Sequence, residues 1–523
     1  MGSEMCIRDS PGMMTPAIDS SYGEFTFYST SPPPVVSEKV IQVSERGDQI
    51  RGAFLLGPTH PLKPSDGRGK IPLEIYLDHD ANAAVIDTGT KALVLEPGEW
   101  SGFVPVTFDF GIAGGTMGGI VRFYLRSISP EFELYASPIN VDPYAPPAPV
   151  SYPDDASAEL ADAIGYYYTQ GMAEDVNALK REILTDNEFM QQSELVFQGR
   201  EEMLDFALDR YTANEDGGLL FFYYSTVDLS GHMMWRHSDP EHPDHDPEIA
   251  AQDSSWWSGR DTTWSSVIAD LYYKMDPVLG RIRERVGDDT TIIVMSDHGF
   301  APYHREFSLN TWLLEEGYLV LNEGFEKQKP DDAADFSKVS LSGKGRLDDS
   351  EDLTPFVDWS RSKAYGVGFN GLYLNIKGRE AEGIVEPGAD AEALAREIAM
   401  KLEALRDPER GNAQVVLRCY LPEQAYSGER LAEAPDLVVG YNSGYGNSDP
   451  SSEGYIPHNI LQDNLGGTFN GSHLMDPSVV SGTLLTNARV TLEDPRLEDV
   501  TASLFQLFSV PAPESIDGRP GME

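Results

Sequence analysis

The chain has 523 residues and carries 39 Lys and Arg against 85 Asp and Glu, a formal net charge of −46. Charge of this sign and size argues against a nucleic-acid duplex or an anionic membrane surface as the main partner, because both reward clustered positive charge. The length predicts two or three domains, the 40% apolar content excludes global disorder, and Cys6 and Cys419 alone cannot build a disulfide framework or a cysteine-rich zinc site.

In chain order, residues 1–11 read as a leader foreign to a globular domain. They lack the apolar region and small-residue cleavage site of a signal peptide. Residues 12–34 read as the remnant of a larger domain and a linker, closing on Pro32, Pro33 and Pro34. Residues 35–141 carry short alternating runs between turn residues: Ile71–Leu77, Ala92–Leu95, Gly102–Phe108 and Ile120–Leu125. This texture predicts an inserted antiparallel β module of sandwich type. A proline-rich linker follows over 142–156.

From 157 to 523 helix and strand signals alternate. Asp155-Ala-Ser157 predicts a helix start, and 200–213 has an amphipathic pattern. Leu219–Val227 is a continuous apolar run that predicts a buried strand. A long helical face over Val267–Ile282 and a second buried strand over Thr291–Met295 come next. Further strands are expected at Gly371–Ile376 and Asp436–Val439, and helices at about 390–405 and 497–508. Buried strands alternating with helices imply an α/β layer architecture with a largely parallel sheet. No run of eighteen apolar residues is present to span a membrane.

Both expected strands end in an acidic residue and a histidine: Val227-Asp228-Leu-Ser-Gly-His232 and Met295-Ser-Asp297-His298-Gly299. Ligands gather at the carboxyl ends of strands in such sheets, and aspartate with neutral histidine suits Zn²⁺ and, less selectively, Mn²⁺ or Fe²⁺. The Asp-x-x-x-His spacing lets a strand-end carboxylate and an imidazole one helical turn later reach the same place. The adjacent Asp297-His298 pair needs a bent backbone, for which Gly299 is expected to provide the freedom. Far downstream, Asn470-Gly-Ser-His473 adds a third imidazole in a glycine-rich loop. Alone, each motif reads more simply as a turn or surface pattern; their joint placement is the stronger signal.

These motifs, with Tyr168-Thr-Gln-Gly-Met172-Ala-Glu-Asp175, Phe222–Asp228, His232-Met-Met-Trp-Arg236, Ser296–Phe300, Leu309-Asn-Thr-Trp-Leu313 and Asp517-Gly-Arg-Pro520, resemble the type I phosphodiesterase/nucleotide pyrophosphatase branch of the alkaline phosphatase superfamily. The resemblance implies a three-layer α/β/α core with a mainly parallel sheet, and hydrolysis of a small phosphate ester. It implies two divalent ions, commonly Zn²⁺: Asp228, His232 and His473 would hold one, Asp297 and His298 the other. The resemblance would place a Thr or Ser nucleophile and one more metal-binding Asp upstream of the region like Met13–Pro16, so weak or absent catalysis is expected of this chain alone. Ser225, Thr226 and Ser296 lie near the strand ends but read as structural. Asn370 and His304 are weaker candidates for substrate contact. His237, His242 and His245 are expected in an exposed loop, and Trp256 and Trp257 against an apolar group or in simple packing. Resemblance and acidity together point to the periplasm or cell exterior. A non-catalytic binding protein, or a phosphomonoesterase or phosphonate hydrolase of the same superfamily, is the alternative reading. A sulfatase is disfavoured because no Cys/Ser-x-Pro-x-Arg stretch surrounds either cysteine.

Overall fold

The structure is a computed structural model. It describes residues 25–523 apart from 33–38, 61, 63–66, 148, 215–216, 258–259, 324–356, 453 and 467–468, and apart from the side chains of 112 and 113. The expected leader at 1–11 and the Met13–Pro16 motif lie outside the described residues. The chain forms two compact units: one takes the described residues up to Ser230 with 253–263 and 269–287, and the other takes 231–252, 264–268 and 288–523. No helix among the described residues is long and apolar enough to cross a membrane.

The first unit opens with β structure whose ladders are antiparallel except where Thr26–Ser29 runs parallel to Val40–Gln42. One five-stranded sheet contains Thr26–Ser29, Val40–Gln42, Glu99–Trp100, Phe123–Ser127 and Glu133–Ala136; a second contains Ser44–Arg46, Gln49–Arg51, Glu74–Asp78, Ala83–Asp87 and Ala92–Leu95. Alternation drives the packing. In Glu74–Asp78 the buried residues are Ile75 and Leu77, and they join Tyr28, Phe108, Phe123, Phe132 and Leu134 in one apolar core. The run around Ile71–Leu77 is split into two strands, Arg68–Pro72 and Glu74–Asp78, in different sheets.

Helices complete this unit. Ala156–Ile164 begins after Asp155, as its sequence predicts. Asp186–Thr212 is far longer than the pattern at 200–213 indicates. Its start is a capping box in which the Thr185 hydroxyl accepts from Glu188 N–H and the Glu188 carboxylate accepts from Thr185 N–H. Trp256 is buried and stacked on Trp257, whose ring lies under the Lys274 ammonium, so both indoles pack within the unit.

The run Leu219–Tyr224 departs from expectation. It forms neither helix nor strand and belongs to no ladder among the described residues. Leu220, Phe222 and Tyr224 pack against Phe197, Leu204, Leu208 and Val278, while Leu219 and Phe221 are 61% and 71% exposed. With strand neighbours on neither side, only the face over the helices is covered, so the run is half-exposed rather than buried.

The second unit corrects the parallel sheet. Ala301–Phe307 is its central strand, paired in parallel with Gly444–Asn447 and antiparallel with Leu461–Asp463 and Gly471–Ser472. Ile293–Met295 pairs antiparallel with Leu484–Thr486 and is partly exposed. Gly371–Leu374 pairs antiparallel with both Ala364–Gly366 and Leu437–Tyr441. The named ladders are therefore largely antiparallel within a mixed α/β fold. A short turn between Gly366 and Gly371 permits only a hairpin, whereas a parallel neighbour needs a crossover. The core gathers Phe307, Leu313, Leu372, Ile398, Val416, Leu437 and Tyr441.

The Asp517–Pro520 motif has a structural role here. Arg519 donates from its main chain and Nη2 to the two Asp499 carboxylate oxygens, at 2.7 and 2.8 Å. Asp499 also accepts from Arg496 N–H at the start of the helix Leu497–Leu507. The Arg519 hydrogen bond, ahead of the opposing burial, holds the Asp499 pKa down to about 2. A depressed carboxylate stabilises the fold above its unfolded pKa near about 4 and loses that contribution as pH falls towards its folded value. Melting curves of the Asp499→Asn protein should therefore lie below those of the parent at pH 6, the two converging as pH drops from about 4 to about 2. A gap unchanged down to pH 2 would contradict this assignment.

Candidate metal centre

The helix Thr226–Ser238 carries the first two site residues. Asp228 and His232 are four residues apart on it and so share one face. The carboxylate thus sits on the helix and not at a strand end. Thr226 opens the same helix, but its hydroxyl donates to Glu174 Oε1 at 2.7 Å, and Ser225 donates to the other Glu174 oxygen at 3.4 Å. Ser296 Oγ accepts from Thr483 N–H at 2.8 Å. All three candidate hydroxyls are thus engaged in structural bonds.

His232 is 1% exposed and its Nδ1 lies 2.8 Å from the Gly471 carbonyl oxygen. That contact assigns the proton to Nδ1 and makes Nε2 the basic nitrogen, the arrangement usual in histidine metal ligands. The carbonyl is held by chain pairing. Gly471–Ser472 bonds to the Ala301–Phe307 strand, Asn470 N–H donates to His232 O, and Tyr303 N–H donates to Asn470 O. A Cβ on residue 471 would lie 2.7 Å from the Phe300 ring and 2.8 Å from Gly231 O, so only glycine fits there.

His473, two residues beyond Gly471, is 7% exposed. Burial first, and then the neighbouring imidazoles of His232 and His298, push its pKa down to about 2, so it is neutral at physiological pH. One donor atom each from Asp228, His232 and His473 lie within 4.8 Å of one another. Among the described residues this is the one group of three or more such side chains brought together in this way.

Asp297 and His298 stand beside this group as a pair. The His298 ring stacks on His473 with centroids 3.6 Å apart and an interplanar angle of 12°. His298 Nδ1 lies 3.0 Å from Gly299 O, and its Nε2 lies 3.4 Å from an Asp297 oxygen. The Asp297 side chain is 55% exposed. Gly299 has no left-handed backbone; a Cβ there would lie 2.4 Å from Ser481 O. Close approach to 480–481, with Gly299 N–H donating to Val480 O, is what requires glycine.

An aromatic shell that sequence spacing did not disclose surrounds the imidazoles. Phe300 stands edge-on to His232 at 4.8 Å and stacks on Trp235, and Phe469 lies 4.3 Å from His232. Its one sequence signal is that Phe300 and Phe469 flank the ligand motifs.

The remaining candidates are placed elsewhere. His304 is in the central strand and bonds Asp239 at 2.6 Å, with His242 beside it. His237 is buried against Trp264, and His242 is buried with its pKa pushed down to about 4, chiefly by burial and then by His304. His245 Nδ1 meets Arg236 O at 2.7 Å. The expected exposed histidine loop is therefore packed at His237 and His242, because imidazole rings cover apolar surface well while Pro240 between them turns the chain. Asn370 lies in the turn before Gly371–Leu374, where its carbonyl accepts from Val439 N–H.

A family model described as type I phosphodiesterase / nucleotide pyrophosphatase matches residues 143–458, more than half of the chain. The chain belongs to that family. No curated protein matched it in a sequence search.

Proposed function

We propose that this protein hydrolyses phosphodiester or nucleotide pyrophosphate bonds of a small substrate with the help of two divalent ions, Zn²⁺ being the ion the donors suit best. The observation that carries the reading is the convergence of Asp228, His232 and His473 in a member of this hydrolase family. One carboxylate and two imidazoles form a borderline donor set of the kind zinc sites use. Asp297 and His298 would supply two donors to a second ion beside the first. We extend the proposal to an alkaline phosphatase-like α/β/α arrangement around the site and to a location outside the cytoplasm, in keeping with the acidity.

Bound divalent ions supply Lewis-acid polarisation of a phosphoryl oxygen and water acidified to a pKa near about 7. The chain's own residues prepare for that chemistry. The Gly471 carbonyl fixes the His232 tautomer, burial keeps His473 unprotonated, and Asp228 brings the negative charge that offsets a cation. Phe300 and Phe469 cover the His232 ring and exclude water from it.

The engaged hydroxyls of Ser225, Thr226 and Ser296 favour a second reading, a metal- or ligand-binding protein without turnover. Release of p-nitrophenol from bis-p-nitrophenyl phosphate separates the two. The hydrolase reading expects turnover above that of free zinc, however slow, that chelation removes and Zn²⁺ restores. Zinc loading with no rate above that of free zinc, on this diester and on a dinucleoside pyrophosphate, would leave the binding reading.

A further inference from the structure

A cavity lies in the first unit, lined by none of the candidate Asp or His donors described above. Its volume is about 100 Å³, and Arg122, Tyr166, Tyr167, Tyr168, Gly199 and Arg200 line it, with Glu202 as the one acidic residue of the lining. Two guanidinium groups beside one carboxylate make a locally cationic wall, in a chain whose net charge is −46.

Neither arginine is fully engaged by the protein. Arg122 donates from Nη1 to Ser101 O at 3.1 Å, and its guanidinium lies over the Phe103 and Tyr168 rings at 4.3 and 5.3 Å. Its Nε is buried and has no hydrogen-bond partner among the described residues. Arg200 is 6% exposed; its bond to Gln170 O is long, at 3.4 Å, and its other acceptor is the weakly accepting Met203 Sδ, also at 3.4 Å. Glu174 is its counter-charge, but that carboxylate already accepts from Thr226 and Ser225. The Tyr168 hydroxyl is buried with no hydrogen bond of ordinary length, the Gln192 amide standing further off. A buried guanidinium donor without an acceptor is costly, and an anion that accepts from several such donors relieves the cost.

We propose that this cavity is a binding site for a small tetrahedral oxyanion of the orthophosphate class, separate from the Asp228, His232 and His473 group. Arg122 and Arg200 provide the charge-assisted donors, and the three tyrosines provide the walls and a further hydroxyl. The volume admits a phosphate ion but falls well short of the several hundred Å³ that nucleotide-sized ligands occupy. The site stands whether or not the histidine centre turns over a substrate.

Equilibrium dialysis of radiolabelled orthophosphate against the full chain, with chelator present to keep metal from the histidine centre, tests this directly. One saturable phosphate per chain is expected. Arg122→Gln should weaken it at least about tenfold, the loss of one hydrogen bond to a charged group. Gly199→Met provides a variant that leaves every polar partner in place. A Cβ on residue 199 meets nothing within 4 Å, and a helical glycine is replaced by a better helix former, so the side chain fills the cavity without disturbing the fold. Loss of binding in both variants, with competition by sulfate, supports the site. Absence of saturable binding, or binding that survives Gly199→Met, overturns it.

Discussion

His473→Ala is expected to abolish tight zinc binding at the helix Thr226–Ser238 and to lower any phosphodiester hydrolysis by more than about 100-fold, beyond the range seen when only an outer partner of a ligand is lost. The replacement leaves Asp228 and His232, and two donors on one helix face cannot hold a tetrahedral ion tightly. The effect should be local. His473 packs among His232, His298 and Phe300 at the surface of the second unit's core, so most of the apolar contacts that hold the unit remain. Metal analysis after gel filtration, with circular dichroism as a check on folding, provides the readout. Unchanged zinc stoichiometry in a folded His473→Ala protein would show that the group of three is not the metal centre.

The second large effect concerns stability. Arg305 follows His304 in the central strand, is 5% exposed at its side chain, and donates to Asp407, Glu409 and Asp463 at 3.1, 2.5 and 2.8 Å. These partners differ in weight. Glu409 and Asp463 reach solvent, which screens them, whereas the Asp407 side chain is fully buried. Removal of the guanidinium strands the Asp407 carboxylate, leaving it the Tyr445 hydroxyl at 3.2 Å and the Glu409 N–H at 3.0 Å. Arg305→Met is therefore expected to cost about 3–5 kcal/mol, the usual penalty for breaking a buried ion pair from one side. For a unit of this size that corresponds to a fall in Tm of roughly 10 °C. The double variant Arg305→Met with Asp407→Asn should recover part of the loss, since no buried charge is then left alone. A double variant less stable than Arg305→Met by the full Asp407→Asn effect would show that the pair is not coupled.

The donor types of the candidate histidine centre were legible in the sequence because ligand chemistry is a matter of residue type. Asp228, His232 and His473 were identifiable as donors, and the four-residue spacing of the first two fits the helix on which they lie. The position of His473, more than two hundred residues away, depends on the Gly471–Ser472 pairing with Ala301–Phe307. No local pattern encodes that pairing. The reason Gly299 and Gly471 are glycines was equally hidden: each has a neighbouring chain or ring in the place where a Cβ would go.

The net charge of −46, the alternating strands of the first unit, the helix starts at Asp155 and Leu497 and the chemical types of the candidate donors were determined by the sequence alone. Each is a property of composition or of a few adjacent residues. Only the tertiary structure decided that the ladders are largely antiparallel, that Leu219–Tyr224 is covered on one face, that His237 and His242 are buried, and that two arginines share a cavity. Those outcomes depend on which distant segment lies alongside, and contact between distant segments is a choice made by the whole packed chain rather than by any window of it.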